Sequence, residues 1–432
     1  MSRTRSATSP FDLASWRSAH MVYLLFAAGI ALSPLGDLLS VRGSSGQNGG
    51  DARYSLILRG AVIVGLIAAM LLSGRPRSSN WRNAFLAALA VAVSSVAFAA
   101  GAMSGKEYIE QTIFVLKVFS FFVYFAALTG LTDRQLARLE PLVRMALFVY
   151  GAAIVAGAVL SIDMFRSYAA DGDVQIRSGY KGIVYAQNEA SALMIVGIAY
   201  GYSRVLRWGW RVADAIFLAS MLAASTLVGT KAAAGGALVV TIAYFYARYS
   251  VVGATLRAAV AVLILAALAF AAYLAIPGVA AAADLTVRYF TYHYDNAGGD
   301  GVLTILLSGR NIKFAEVWRE IGRQDYVAIL TGGYPVVRYL VEIDGPDLML
   351  SLGLPIFVFY LKALGNAFVV TSRRPLARFG KTFFVILLIV ACTAGHVLNS
   401  AVISPYLAIV AVIVRRGAAV QTGTVDVVKQ DG

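Results

Sequence analysis

Only one cysteine occurs in the 432 residues, Cys392, and it lies inside an apolar run. That excludes a disulfide framework and a cysteine metal site, and makes the thiol an expected core filler. Charge is scarce too. Asp, Glu, Lys and Arg make up 14% of the chain against 59% hydrophobic residues, whereas a soluble domain carries about 25% charged and about 45–50% apolar residues. A soluble globule is therefore excluded. The sequence has no glycine-rich nucleotide loop, no internal repeat, no soluble catalytic domain and no convincing cluster of metal ligands, so neither cofactor nor metal is expected. It also lacks a small-residue cleavage site after the basic first 20 residues. The apolar run that follows, interrupted at Pro34-Leu35-Gly36-Asp37, is read as a retained span.

What the chain does have is hydrophobic length, with a mean hydropathy of +0.72. Crossing about 30 Å of hydrocarbon takes roughly 20 mostly apolar residues. Such runs fall near 21–39, 55–73, 84–104, 109–131, 146–162, 183–203, 212–228, 232–247, 258–276, 347–365, 382–398 and 401–414. The expected architecture is all-α, a polytopic bundle of about twelve transmembrane helices forming one domain, 1–432.

The net charge of +14 arises from short basic clusters between these runs, the pattern that orients a membrane protein rather than one that binds nucleic acid. With the N-terminus in the cytoplasm, each of the segments 1–20, 74–83, 132–145, 203–211, 248–257, 372–381 and 415–432 holds at least two Lys or Arg. Both termini are thus expected in the cytoplasm, and 277–346 becomes an extracytoplasmic loop between spans nine and ten. A loop of that length is expected to be functional. Within it Phe314, Val317, Trp318 and Ile321 recur at helical spacing, with Lys313, Glu316, Arg319 and Glu320 on the other faces, the signature of an amphipathic helix near the membrane surface.

Ionisable groups at membrane depth or at its boundary need a partner or a purpose. Lys231, in Thr230-Lys231-Ala232, sits at a tight hairpin among Ser225, Thr226 and Gly229, whose small polar side chains let a ligand approach. It is a candidate anion ligand, or else a snorkelling helix anchor. Arg310 follows Ser308-Gly309 at an expected helix start, where free N–H groups already favour an anion and a guanidinium adds a fork of donors. Arg288 and Arg338 share the loop and are secondary candidates.

Glu342, Asp344 and Asp347 precede span ten. Asp344 suits a plain helix cap, and Glu342 or Asp344 suits a general base beside bound phosphate. His396, followed by Asn399 at the outer end of span eleven, is a second base candidate. Asn188 and Glu189, with Gln187, make the start of span six unusually polar, either as packing glue or as a substrate-lining patch.

Taken in order, the polar patch at Asn188, the Thr230-Lys231 hairpin, the long loop with Ser308-Gly309-Arg310 before a tryptophan-bearing helix, and the acidic turn leading into 348–354 resemble the O-antigen polymerase and ligase superfamily, the Wzy-type polymerases and their ligase relatives. The resemblance covers roughly residues 180–365. It implies a metal-independent glycosyltransferase of the bacterial inner membrane that uses undecaprenyl-diphosphate-linked oligosaccharides, with Lys231 and Arg310 as the diphosphate-holding cations. It also implies the flippase and chain-length regulator of the same pathway as partners. The ligase branch usually carries His-Asn ahead of span ten, where this chain has Glu342-Ile343-Asp344-Gly345, closer to the acidic turn of polymerases. Lysine stands where the family hairpin customarily has arginine.

The expected activity is joining of lipid-linked repeats into a polysaccharide at the periplasmic face, with an acidic, xanthan-like exopolysaccharide as the working expectation for the product, one that no motif carries. The rivals are a ligase, which transfers a finished glycan to another acceptor, and a transporter or flippase. A transporter would call for two-fold repeats and midplane sites that the sequence does not display.

Overall fold

The computed structural model describes residues 10–44, 53–72, 78–167, 179–275, 277–296, 301–323 and 325–419. Among them every regular element is a helix; the one β-bridge joins Arg166 and Tyr180. In chain order these are α1 (Pro10–Ser44), α2 (Tyr54–Leu72), α3 (Ser78–Ala99), α4 (Gly105–Gly130), α5 (Asp133–Val159), α6 (Gln187–Trp208), α7 (Val212–Leu227), α8 (Lys231–Arg248) and α9 (Val251–Ala275). There follow α10 (Pro277–Asn296), α11 (Gly301–Leu307), α12 (Arg310–Gly322), α13 (Val327–Thr331), α14 (Asp344–Leu352), α15 (Leu354–Phe368), α16 (Pro375–Thr393) and α17 (Ser404–Ala419), with a short 3-10 turn at Asp163–Phe165.

Seven of the described helices are long and apolar enough to cross a membrane, namely α1, α2, α3, α4, α5, α9 and α16. A helix is the natural solution there because it satisfies its backbone polar groups internally. Two of them begin with reciprocal caps. Ser104 and Glu107 close the first turn of α4, and Thr132 and Gln135 that of α5, each pair satisfying two otherwise orphaned N–H groups.

Helices buried all round make the centre. From Ala190 to Val205 every residue of α6 is buried, as is every residue of α17 from Ser404 to Val414, and the two pack on each other. This is the expected place for a helix without a polar face. Glycine permits the closest approaches: a Cβ on Gly236 of α8 would stand 2.4 Å from Ile195 Cδ1, and one on Gly380 of α16 would stand 2.4 Å from Val414 Cγ1. Small residues at such crossings let backbones meet where no water drives association. The outer helices instead turn Val64, Leu72, Leu263 and Ile264 outward, as lipid-facing surfaces do.

Buried charge ties helices together at two places. Asp37 of α1 accepts a fork from Arg59 of α2 at 2.6 and 2.8 Å, and Tyr150 of α5 donates to the same carboxylate at 2.5 Å. Near the last turn of α6, Arg204 pairs with Asp214 of α7 and with Glu140 of α5 at 3.4 Å.

The structure departs from the sequence expectation at three places. The run 347–365 is two helices, divided at Gly353, whose φ of +78° leaves the helical region. The run 382–398 ends as a helix at Thr393, and 394–403 form an irregular, mostly buried segment before α17. Cys392 is exposed on α16 rather than packed in the core, because the buried stripe of that helix runs through Phe383, Leu387, Val390 and Ala391.

Candidate functional site

The irregular segments cluster at one end of the bundle, around the start of α14. Its first turn carries Asp344 and Asp347, both buried. Asp344 does not cap its own helix. Its carboxylate reaches across to accept the backbone N–H groups of His396 (2.7 Å), Val397 (2.8 Å) and Leu398 (2.7 Å). Asp347 accepts those of Val341 (3.0 Å) and Glu342 (3.1 Å). A carboxylate in charge-assisted hydrogen bonds is a strong acceptor, and here the two fix two unusual residues. Glu342 has φ +65° and His396 has φ +68°, left-handed conformations that cost non-glycine side chains energy and gather at functional sites. The two turns also touch: a Cβ on Gly395 would lie 2.6 Å from the carbonyl oxygen of Glu342.

So placed, the Glu342 side chain meets the basic start of α12. Its carboxylate lies 3.4 Å from Arg310 Nη2 and 3.5 Å from Lys313 Nζ. These contacts are longer than the about 2.7–2.9 Å of a well-made charged pair. Ser308 and Gly309, at φ +55° and +80°, turn the chain sharply between α11 and α12 and start α12 at Arg310. The expected amphipathic helix is α12, with Val317 and Ile321 buried.

The opposite side of the cluster is the α7–α8 hairpin. Thr230 caps α8 through the Ala233 N–H, and Lys231 is its first residue. The Lys231 ammonium donates to the Ile305 and Leu306 carbonyls of α11, a few residues before Arg310. Lys231 thus contacts the end of α11, and Arg310 follows three residues after that helix. Beside the hairpin, burial pushes the Lys181 ammonium below the ordinary lysine range. The start of α6 links hairpin and turn: Gln187 donates to the Val228 carbonyl at 2.6 Å, Ser191 shares a 2.7 Å hydrogen bond with Thr230, and Glu189 accepts from Ser400 at 2.7 Å. Asn188 is half-buried in the same turn.

His396 Nδ1 lies 3.3 Å from Asn399 Oδ1.

Not every sequence candidate joins the cluster. Arg338 is held in a fork by Glu107 at 2.5 and 2.6 Å, fastening the loop to the start of α4. Arg288 is exposed on α10, and among the described residues no hydrogen bond or ion pair links it to Arg310, Lys231 or Glu342. Asp344 does join, as an anchor whose oxygens are engaged by backbone. Sequence reasoning gave no role to Lys313, Ser400 or Lys117. Lys117 sits midway along α4, close enough to Glu189 to feel its charge; an ionisable residue inside the run 109–131 was the available signal. Among the described residues no group of His, Cys, Asp and Glu is arranged to hold a metal.

No family model, curated protein or solved structure matches the chain.

Proposed function

We propose that this protein is a polysaccharide polymerase of the bacterial inner membrane, joining undecaprenyl-diphosphate-linked oligosaccharide repeats at the periplasmic face, with both termini in the cytoplasm. The observation that carries the reading is Glu342, whose left-handed backbone is fixed by the buried Asp347 carboxylate and whose side chain meets the cations Arg310 and Lys313, with the equally constrained His396 turn packed beside it.

In this reading the donor's diphosphate takes up Arg310 and Lys313, with Lys231 holding the α11–α12 turn to receive it. An acceptor hydroxyl attacks the anomeric carbon, forming the new C–O bond. The bond from that carbon to the phosphate oxygen breaks, and its electron pair leaves on the lipid diphosphate. Charge grows on the leaving group, so preorganised cations lower the barrier. The hydroxyl proton passes to Glu342, released from its cations, or to the His396 imidazole. Asp344 and Asp347 keep these two in position. Glu189 and Asn188 line the sugar side, and the fixed cations supply the neutralisation that a metal would otherwise provide. The flippase and chain-length regulator of the same pathway are the proposed partners.

The test is to give the purified protein one lipid-linked repeat. A ladder of products with release of lipid diphosphate supports a polymerase. A single transfer to a different acceptor makes it a ligase, and counterflow without bond formation makes it a transporter.

A further inference from the structure

A second feature lies next to this site. The helices α2 and α3 both pack on α4 but barely on each other, and between the three lies a cavity of about 980 Å³. Consecutive helices joined by a short connection normally pack side by side; their separation here opens a cleft towards the surrounding medium, and Ile57, Val64 and Leu116 on its walls are exposed. The lining runs along α2 from Leu56 to Leu71, roughly 22 Å at 1.5 Å per residue. It is long, narrow and apolar almost throughout.

Its polar exceptions are informative. Lys117 lines the cavity, and among the described residues its ammonium makes no hydrogen bond or ion pair; the opposite charge it feels is that of Glu189. Arg59 also lines it, with Nε unpartnered although its two terminal nitrogens hold Asp37. Ala401, neighbour of Ser400 in the site, closes part of the wall. An apolar channel with an unpaired cation in it, adjoining a candidate diphosphate site, complements one kind of molecule: a long hydrocarbon chain ending in an anionic head.

We propose that this cleft holds the polyprenyl chain of the lipid-linked substrate, with Lys117 positioned to attract its negatively charged end, an inference that rests on the polymerase reading above. Gly60 offers a clean way to block it. It lines the cavity, and a Cβ there meets no atom within 4 Å, so Gly60→Phe starts from an open position on the cleft wall.

The experiment uses the full chain in lipid nanodiscs with undecaprenyl diphosphate bearing a photoreactive group on its tail. Crosslinks mapped to α2, α3 and α4, reduced about tenfold in Gly60→Phe and in Lys117→Met, are the expected result. Labelling confined to helices that do not line the cleft, or equal labelling in the blocked variant, overturns the proposal. Leu116→Trp, from the α4 wall, replaces Gly60→Phe should that variant fail to insert. Kinetics then separate this inference from the polymerase reading. Blocking the cleft is expected to raise KM for a long-tailed donor and not for a two-isoprene donor, whereas labelled cleft without polymer from either donor sinks the polymerase and leaves the lipid site standing.

Discussion

The carboxylate of Asp344 accepts the backbone N–H of His396 at 2.7 Å and so fastens the start of α14 to the turn beyond α16. That relationship separates two acids that look alike in the sequence. Asp344→Asn is expected to lower stability by about 3 kcal/mol or more, because buried hydrogen bonds to a charged group are lost and an amide N–H₂ is turned against N–H donors. Glu342→Gln is expected to keep the thermal midpoint and lose glycan synthesis. Melting in detergent beside product analysis checks both; equal melting losses would remove the distinction.

Arg310→Ala is expected to abolish polymer while single lipid-linked repeats accumulate and membrane insertion stays normal. Arg338→Ala, which breaks the pair with Glu107 and the contact with the Tyr339 ring outside the cluster, is expected to leave polymer length close to normal. Gel profiles of the glycan from the two strains make the comparison. Normal polymer in the Arg310 variant would dismiss the proposed diphosphate site.

Lys231→Ala removes the donor to the Ile305 carbonyl. Its expected effect is about tenfold weaker binding of the lipid-linked donor, measured with a labelled donor in nanodiscs. Unchanged affinity would leave Lys231 as a helix anchor and nothing more.

Asp37 and Arg59 form a buried pair far along the chain from the candidate site. Asp37→Leu alone strands a buried guanidinium and is expected to cost about 3–5 kcal/mol, whereas Asp37→Leu with Arg59→Met removes both charges and is expected to recover most of that loss. A double-mutant cycle by thermal melting decides it. Additive losses would mean that the pair does not act as a unit.

Much of this was legible in the residues themselves. The basic clusters and apolar runs marked where helices lie, and the spacing of Val317 and Ile321 marked α12. Lys231, Glu342 and His396 stood out because each is ionisable near the edge of an apolar run, and Arg310 because it follows Ser308-Gly309 at a helix start. The breaks at Gly353 and at 394–403 were hidden, because a glycine or a few small polar residues in an apolar stretch also occur inside unbroken helices. The partner of Asp344 was hidden for a different reason: its acceptors' donors are backbone N–H groups, which carry no residue identity.

Composition and periodicity by themselves determined a helical protein built for an apolar medium, since unbroken apolar runs of about 20 residues match a spanning helix, whereas a barrel strand needs only about 9–11 residues of alternating character. They could not decide which charges would meet. That Lys231 contacts the end of α11, that Asp344 anchors rather than caps, and that α2 and α3 part over Lys117 depend on helix packing. Contacts between residues tens to hundreds of positions apart are set by side-chain shape and the closeness of backbones, and no local pattern records them.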